Sequence, residues 1–309
     1  MYLQPEQRAA NTQTPTAVNA ATHDYYPSRL TQPPASLFLP RREPIGEQVS
    51  ADGPLTEKQC QRFIRDGFLF EPHFLSGELL AACQAELHHL LSDPQHRGQD
   101  YAVTEPGSGA VRSLFAVHRL SSLFRQLSEL PALTARVHQL LGGDSDIHQS
   151  RINYKPGFVG RGFAWHSDFE TWHAEDGMPA MHAVSASIIL TDNHAFNGPL
   201  MLIPGSHRQF VPCLGDTPAD HYRQSLRAQR VGVPGDDAIA ELVKRGGIQA
   251  PTGPAGSLLL FDCNTLHGSN ANMSPDPRSN IFFVYNRRDN RCGEPFAARQ
   301  RRPDFLCHR

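Results

Sequence analysis

Apolar residues recur with a helical period in the first half of the chain and with a strand period in the second, and the change falls near Asp146. Thr56 with Gln59 three residues on makes a capping box, and Gly67 supplies a stop. This predicts a helix over 56–67, followed by a short strand at Phe68-Leu69-Phe70. Ser76 as N-cap, with Leu79, Leu80, Cys83, Leu87, Leu90 and Leu91 on one stripe, predicts a second helix. TEPGSGAVRS (104–113) reads as a Gly-rich turn, and LPALTARVHQLLGG as a third helix stopped by Gly142-Gly143. Beyond Asp146 the segments shorten to IHQSRINYK, FAWHSDF, AVSASIILTD, GPLMLIPGS, GSLLLFD and NIFFVYN. Val184, Ile188 and Leu190 alternate as on a half-buried strand. Two helices interrupt the strands: one opens at Thr217-Pro218 and runs through HYRQSLRAQ, and DDAIAELVKR ends at Gly246-Gly247. Helices first and strands after predict a mainly β fold with α decoration, a double-sheet jelly roll or barrel. Residues 1–54 are rich in proline and read as an extension. Its first 25 residues are expected to be disordered, and its later part, with Leu37, Phe38 and Leu39, to dock on the body. Residues 55–309 are expected to form one domain with a helical insertion near 213–247.

Charge narrows the partners. The formal net charge is −2 and no Lys/Arg block stands out, which argues against nucleic acid and anionic membranes. No apolar run approaches the roughly 18 residues of a spanning helix. The first residues lack the basic and apolar regions of a signal peptide. Cys60, Cys83, Cys213, Cys263, Cys292 and Cys307 are scattered without a CxxC, so they read as reduced thiols of a cytoplasmic protein.

The stretch WHSDFETWH (165–173) concentrates chemistry. On a strand, His166 and Asp168 of His166-Ser167-Asp168 point to the same side. The strand in GSLLLFDCNTLHGSN runs on toward His267. Two imidazoles and one carboxylate occupy one face of an octahedron and leave the other face for a chelating co-substrate and O2, the pattern of non-heme Fe(II) oxygenases. Alone, H-x-D is an ordinary surface-strand pattern, and His173-Ala174-Glu175 competes with it. Arg278, eleven residues past His267, strengthens the metal reading because a guanidinium there can grip the distal end of a dicarboxylate. A structural zinc site would want thiolates, and no cysteine is suitably spaced; Cys263 reads as a core thiol.

FAWHSDFETWHAEDGMP, NGPLMLIPGSHRQF, LHGSN and PRSN, with EPGSGAVRSLFAVHR and IHQSRINYKPGF, carry a further signal. Together they resemble the phytanoyl-CoA-hydroxylase-like branch of the Fe(II)/2-oxoglutarate dioxygenases, and within it the ectoine hydroxylases. The resemblance spans most of the chain from about residue 26. It implies a double-stranded β-helix (jelly-roll or cupin-like) core flanked by helices. It also implies Fe(II), with 2-oxoglutarate and O2 as co-substrates. The reaction would convert ectoine to 5-hydroxyectoine with release of succinate and CO2, in a homodimer serving osmotic and heat-stress protection. Carried over by position, His166, Asp168 and His267 match the iron ligands. Arg278, Lys155, Asn153 and Ser269 match co-substrate contacts, and Gln149, Arg151, Trp172, Asn280 and Phe115 match substrate contacts. The chain departs from the family at Ala180 and His182, and in NRRDNRCG (286–293).

Each residue also has a plainer reading. Trp172 and Phe115 are core aromatics, Gln149 and Arg151 ordinary strand polars, Lys155 a solvated lysine and Ser269 a turn serine. His173 and Glu175 are expected in a mobile loop over the site, with Asp176-Gly177 as its turn. His88, His89 and His207 are expected to be solvated or bonded locally. A hydroxylase for another small zwitterion, or a non-catalytic binding protein that keeps the metal, are the competing functions.

Overall fold

The computed structural model describes residues 23–46, 48–104, 109, 111–218, 222–225 and 231–308. Most of the stretch expected to be disordered, 1–22, lies outside the described residues. The later part of the extension packs against the body: β1 (Leu39–Pro40) pairs antiparallel with β9 (Gln209–Phe210), and Tyr26 and Arg29 are buried.

The Thr56 capping box forms on both sides, and α1 (Glu57–Asp66) ends at Gly67 with φ 84°. That left-handed geometry suits glycine, and a Cβ there would sit 2.4 Å from the His207 ring. β2 (Phe68–Glu71) and α2 (Gly77–Ser92) follow. Strands β3 (Ala102–Thr104) and β4 (Val111–Phe115) flank the Gly-rich segment, of which 105–108 and 110 lie outside the described residues. These strands replace part of the expected turn, because three- and five-residue strands carry too few alternations to register in sequence. Short helices α3 (Val117–Leu120) and α4 (Ser122–Ser128) were missed for the same reason, and α5 (Pro131–Leu141) ends at Gly142.

The strand half of the chain builds two sheets. β5 (Ser145–Lys155), β7 (Ala183–Ile189), β10 (Leu258–Asp262) and β12 (Arg278–Arg287) join β2, β3 and β4 in a seven-stranded antiparallel sheet of order β2-β10-β7-β12-β5-β4-β3. β6 (Phe163–His166), β11 (His267–Ser269) and β8 (Leu200–Leu202) form a three-stranded sheet of order β6-β11-β8. Side-chain alternation divides the larger sheet. Ile152, Leu258, Leu260, Ile281 and Phe283 pack with Leu87, Phe124, Val137 and Leu140 of the helices. Leu259, Phe261 and Phe282 instead meet Leu200 and Leu202 of the smaller sheet. The result is a mainly β, jelly-roll-like core with flanking helices, and the space between its sheets holds the site.

Between β9 and β10 lie α7 (Tyr222–Ser225) and α8 (Asp236–Gly246). The helix expected from Thr217 falls partly on 219–221 and 226–230, outside the described residues. FAWHSDF is not strand throughout. Ser167 caps a helical turn, α6 (Asp168–Thr171), which runs into a π-helical turn (Trp172–Asp176). His173 and Glu175 are therefore buried in regular structure, which overturns the mobile loop. His173 stacks on Phe296 at 3.9 Å, and Glu175 pairs with Arg29 at 2.9 Å.

Candidate active site

His166 and His267 stand directly opposite each other in the β6–β11 register. Opposed residues of an antiparallel pair share a face, so their rings lie 4.2 Å apart between centroids. Asp168 arrives differently from the strand alternation expected. It is the first residue of α6, fixed by the Ser167 cap and by the bond from Phe169 N to Cys263 O (2.9 Å). The three side chains still converge. Asp168 Oδ1 is 3.8 Å from His166 Nε2, and Oδ2 is 3.9 Å from His267 Nε2.

The protonation pattern suits a cation. His166 Nδ1 lies 2.7 Å from Ala164 O, and His267 Nδ1 lies 2.9 Å from Thr265 O. A carbonyl can only accept, so the protons reside on Nδ1 and both Nε2 lone pairs face Asp168. Burial lowers both imidazoles, His267 to about 3, keeping them neutral. Burial pushes Asp168 up, but Arg151, His267 and His166 together outweigh it and hold the carboxylate below its ordinary value.

Those neutral histidines predict acid sensitivity. His207, whose ring Nε2 lies 3.1 Å from Ile64 O, is likewise lowered by burial to about 4. As pH falls below the ordinary value near 6.5, the unfolded chain takes up protons that folded His207 and His267 refuse, so folding stability falls. At pH 5 each costs about 2 kcal/mol. Urea unfolding of the metal-free protein at pH 7.5 and pH 5 checks this, and equal midpoints would refute it.

The triad lines a cavity between the sheets, and so do Gln149, Arg151, Asn153, Trp172, Ser269, Arg278 and Phe115. Arg278 is only 1% exposed, yet its Nε and Nη2 have no hydrogen-bond partner, and burial lowers it to about 10. A buried guanidinium with unused donors is built for an anion that completes it. Asn153 accepts from Ser113 Oγ (2.9 Å), which leaves its amide hydrogens for a ligand. Gln149 is engaged, accepting from Arg151 and donating to Leu306 O at 2.7 Å.

Two residues are placed otherwise than expected. Lys155 is fully buried, against the solvated reading, and is absent from the cavity wall; its Nζ donates to Ser269 Oγ (2.8 Å) and to the Asn270 carbonyl. Asn280 also stands off the wall. Its amide donates to Ser187 Oγ (3.2 Å) and accepts from Asn193 Nδ2 (3.3 Å), so the neighbouring strand consumes it. Phe163, Phe282 and Arg302 also stand on the wall, though no sequence motif marks them. Phe282 was recoverable, being four residues past Arg278 on the same strand face. Arg302 gave no signal. It comes from the irregular C-terminal tail and pairs with buried Asp176 (Nε–Oδ1 2.8 Å).

Ala180 and His182 lie beside the 286–293 departure. Asn290 donates to Ala180 O (2.8 Å) and accepts from Ala180 N (3.1 Å), and Arg287 N donates to His182 O (3.0 Å). The two departures form one patch, none of whose residues lines the cavity that holds the triad.

Residues 63–280 match the family model described as Phytanoyl-CoA dioxygenase (PhyH). The chain is similar to the ectoine dioxygenase of Halomonas elongata, 66% identical over 285 residues, covering 92% of this chain and 86% of the relative. It is similar to that of Stutzerimonas stutzeri at 46% identity, covering 93% and 94%. Among solved structures it resembles EctD from S. alaskensis with 2-oxoglutarate and 5-hydroxyectoine, with TM-score 0.83, 44% identity and coverage of 93% and 95%.

Proposed function

The chain belongs to the phytanoyl-CoA dioxygenase family, and from that premise we infer that it is an Fe(II)- and 2-oxoglutarate-dependent dioxygenase that hydroxylates ectoine. The reaction is ectoine + 2-oxoglutarate + O2 → 5-hydroxyectoine + succinate + CO2. The observation that carries it in the structure is one cavity wall holding two neutral imidazoles, an ionised carboxylate and an orphaned buried guanidinium.

We propose His166, Asp168 and His267 as the iron ligands. Free Nε2 lone pairs and a depressed carboxylate fit a divalent cation without prior loss of protons. Iron bound there supplies the oxygen activation and redox chemistry that amino-acid side chains lack. Arg278 holds the distal carboxylate of 2-oxoglutarate through its two unused donors. The Ser269 hydroxyl, positioned by Lys155, and the Asn153 amide orient the same molecule. Arg151, held by Gln149, takes the ectoine carboxylate, and the Trp172 face takes the delocalised amidinium. Phe115, Phe163 and Phe282 exclude water around the reacting ring carbon. Asn280 acts at one remove, by fixing β12 against β7.

Mass spectrometry of ectoine incubated aerobically with enzyme, iron and 2-oxoglutarate tests the reading: the product gains one oxygen atom, and none without O2. Succinate release without hydroxylated ectoine would point to another small zwitterion. Replacing Trp172 with leucine is expected to raise the KM for ectoine by about 2- to 30-fold, the equivalent of roughly 0.5–2 kcal/mol of cation–π energy. The KM for 2-oxoglutarate should change little. An unaltered ectoine KM would remove Trp172 from the substrate site.

Cytoplasmic location, a homodimer, and a role in osmotic and heat-stress protection complete the proposal. The cysteines are free among the described residues, in keeping with a reducing compartment. Light scattering on the purified protein tests the dimer.

A further inference from the structure

The β5–β12 ladder slips between Val284 and Tyr285, which face Gln149 and Ile147. His148 is thus an extra residue in β5, a bulge, and a bulge re-aims a side chain. Ile147 packs with the helix-side core, while the His148 ring meets the cavity aromatic Trp172 at 5.1 Å. The tail claims the freed backbone carbonyl: His308 N donates to His148 O at 2.7 Å.

The ring itself is flanked by metal-ligating chemistry. His148 Nε2 is 3.2 Å from Asp176 Oδ2, and Nδ1 is 3.8 Å from Cys292 Sγ. One ligand atom each from His148, Cys292 and Cys307 lie within 4.8 Å of one another, the same closeness that defines the His166, Asp168 and His267 set. We propose that His148 Nδ1, Cys292 and Cys307 form a second metal site, selective for zinc(II), that clips the C-terminal tail over the substrate cavity.

The donor set decides the metal. Two thiolates and an imidazole suit zinc, whereas the oxygen-containing triad suits iron. Asp176 stands behind the ring on its Nε2 side while Nδ1 faces Cys292 Sγ, the placement of the carboxylate support usual behind a ligating histidine. Arg302 neutralises Asp176 from its other side. His148 and Cys292 line a solvent-open cleft distinct from the substrate cavity, which gives the ion a way in and a water its fourth position.

The clip follows from what the tail does. Gly293 N bonds to Gly177 O at 2.8 Å, where a Cβ on Gly177 would lie 2.4 Å from the Gly293 carbonyl. Phe305 then packs on Phe115, Leu306 O anchors Gln149, and Arg302 reaches the cavity wall. Tying Cys292 and Cys307 to the β5 bulge closes the loop that carries these contacts.

The test uses iron-loaded, full-length enzyme incubated with equimolar zinc, desalted, and assayed for both metals. The wild type should retain about one zinc per chain alongside its iron, and Cys292→Ser with Cys307→Ser should lose the zinc and keep the iron. On unmutated protein, zinc should protect Cys292 and Cys307, and no other cysteine, from alkylation. It should also slow tryptic cleavage after Arg299 and Arg301. The site is refuted if zinc is not retained, if the double variant keeps it, if it merely displaces iron, or if anaerobically purified enzyme yields a Cys292–Cys307 disulfide. Zinc bound with unchanged proteolysis refutes the clip.

Discussion

Replacing Arg278 with methionine should weaken 2-oxoglutarate binding by at least about a hundredfold and, at the same time, make the ligand-free protein more stable. The two effects have one cause. Arg278 is almost completely buried, and burial alone lowers its guanidinium well below the ordinary arginine range, to about 10. At about 1.36 kcal/mol per unit, keeping it charged at neutral pH costs the ligand-free fold about 3 kcal/mol. A dicarboxylate supplies the missing partner, and deleting one side of a buried pair costs roughly 3–5 kcal/mol of binding. Methionine fills similar space without the charge, so the free protein should gain about 1–3 kcal/mol, after allowance for imperfect packing. Arg278→Lys keeps the charge but loses the planar fork, and should bind 2-oxoglutarate less tightly than wild type without the gain in stability. Calorimetric titration and thermal melts decide the matter. A variant that melts lower and binds 2-oxoglutarate normally would mean that Arg278 has no anion to meet.

Replacing His267 with alanine should abolish iron retention and lower coupled turnover about a thousandfold or more, since the metal contributes several kcal/mol to the reaction. The same change should make the metal-free protein less sensitive to acid, because a buried imidazole lowered to about 3 no longer has to refuse a proton. Iron content after desalting, oxygen consumption and urea midpoints at pH 7.5 and pH 5 read these outcomes separately. Normal iron content with normal turnover would dismantle the triad. A loss of turnover with iron retained would move His267 from ligand to positioning residue.

The residues by themselves determined a good deal. Helix signals at Thr56, Gly67 and Gly142 are local, because a cap depends on a few consecutive backbone groups, and they were legible for that reason. Alternation in AVSASII and the short apolar run NIFFVYN identified strands, and the spacing of His166, Asp168, His267 and Arg278 pointed to the chemistry. Family resemblance, more than spacing, supplied the ectoine contacts.

Tertiary structure decided what no local pattern encodes. The histidines meet because β6 and β11 pair in a register that sets His166 opposite His267, and register depends on both strands at once. Lys155 is engaged because β11 of the smaller sheet brings Ser269 within bonding distance, and Asn280 is spent because the adjacent β7 brings Ser187 there. The tail's place on the cavity, and the approach of Cys292 and Cys307 to His148, arise where a bulge leaves one carbonyl and one side chain unpaired. Chemistry belongs to residue types and can be read along the chain, but proximity between distant residues is a property of the packed fold.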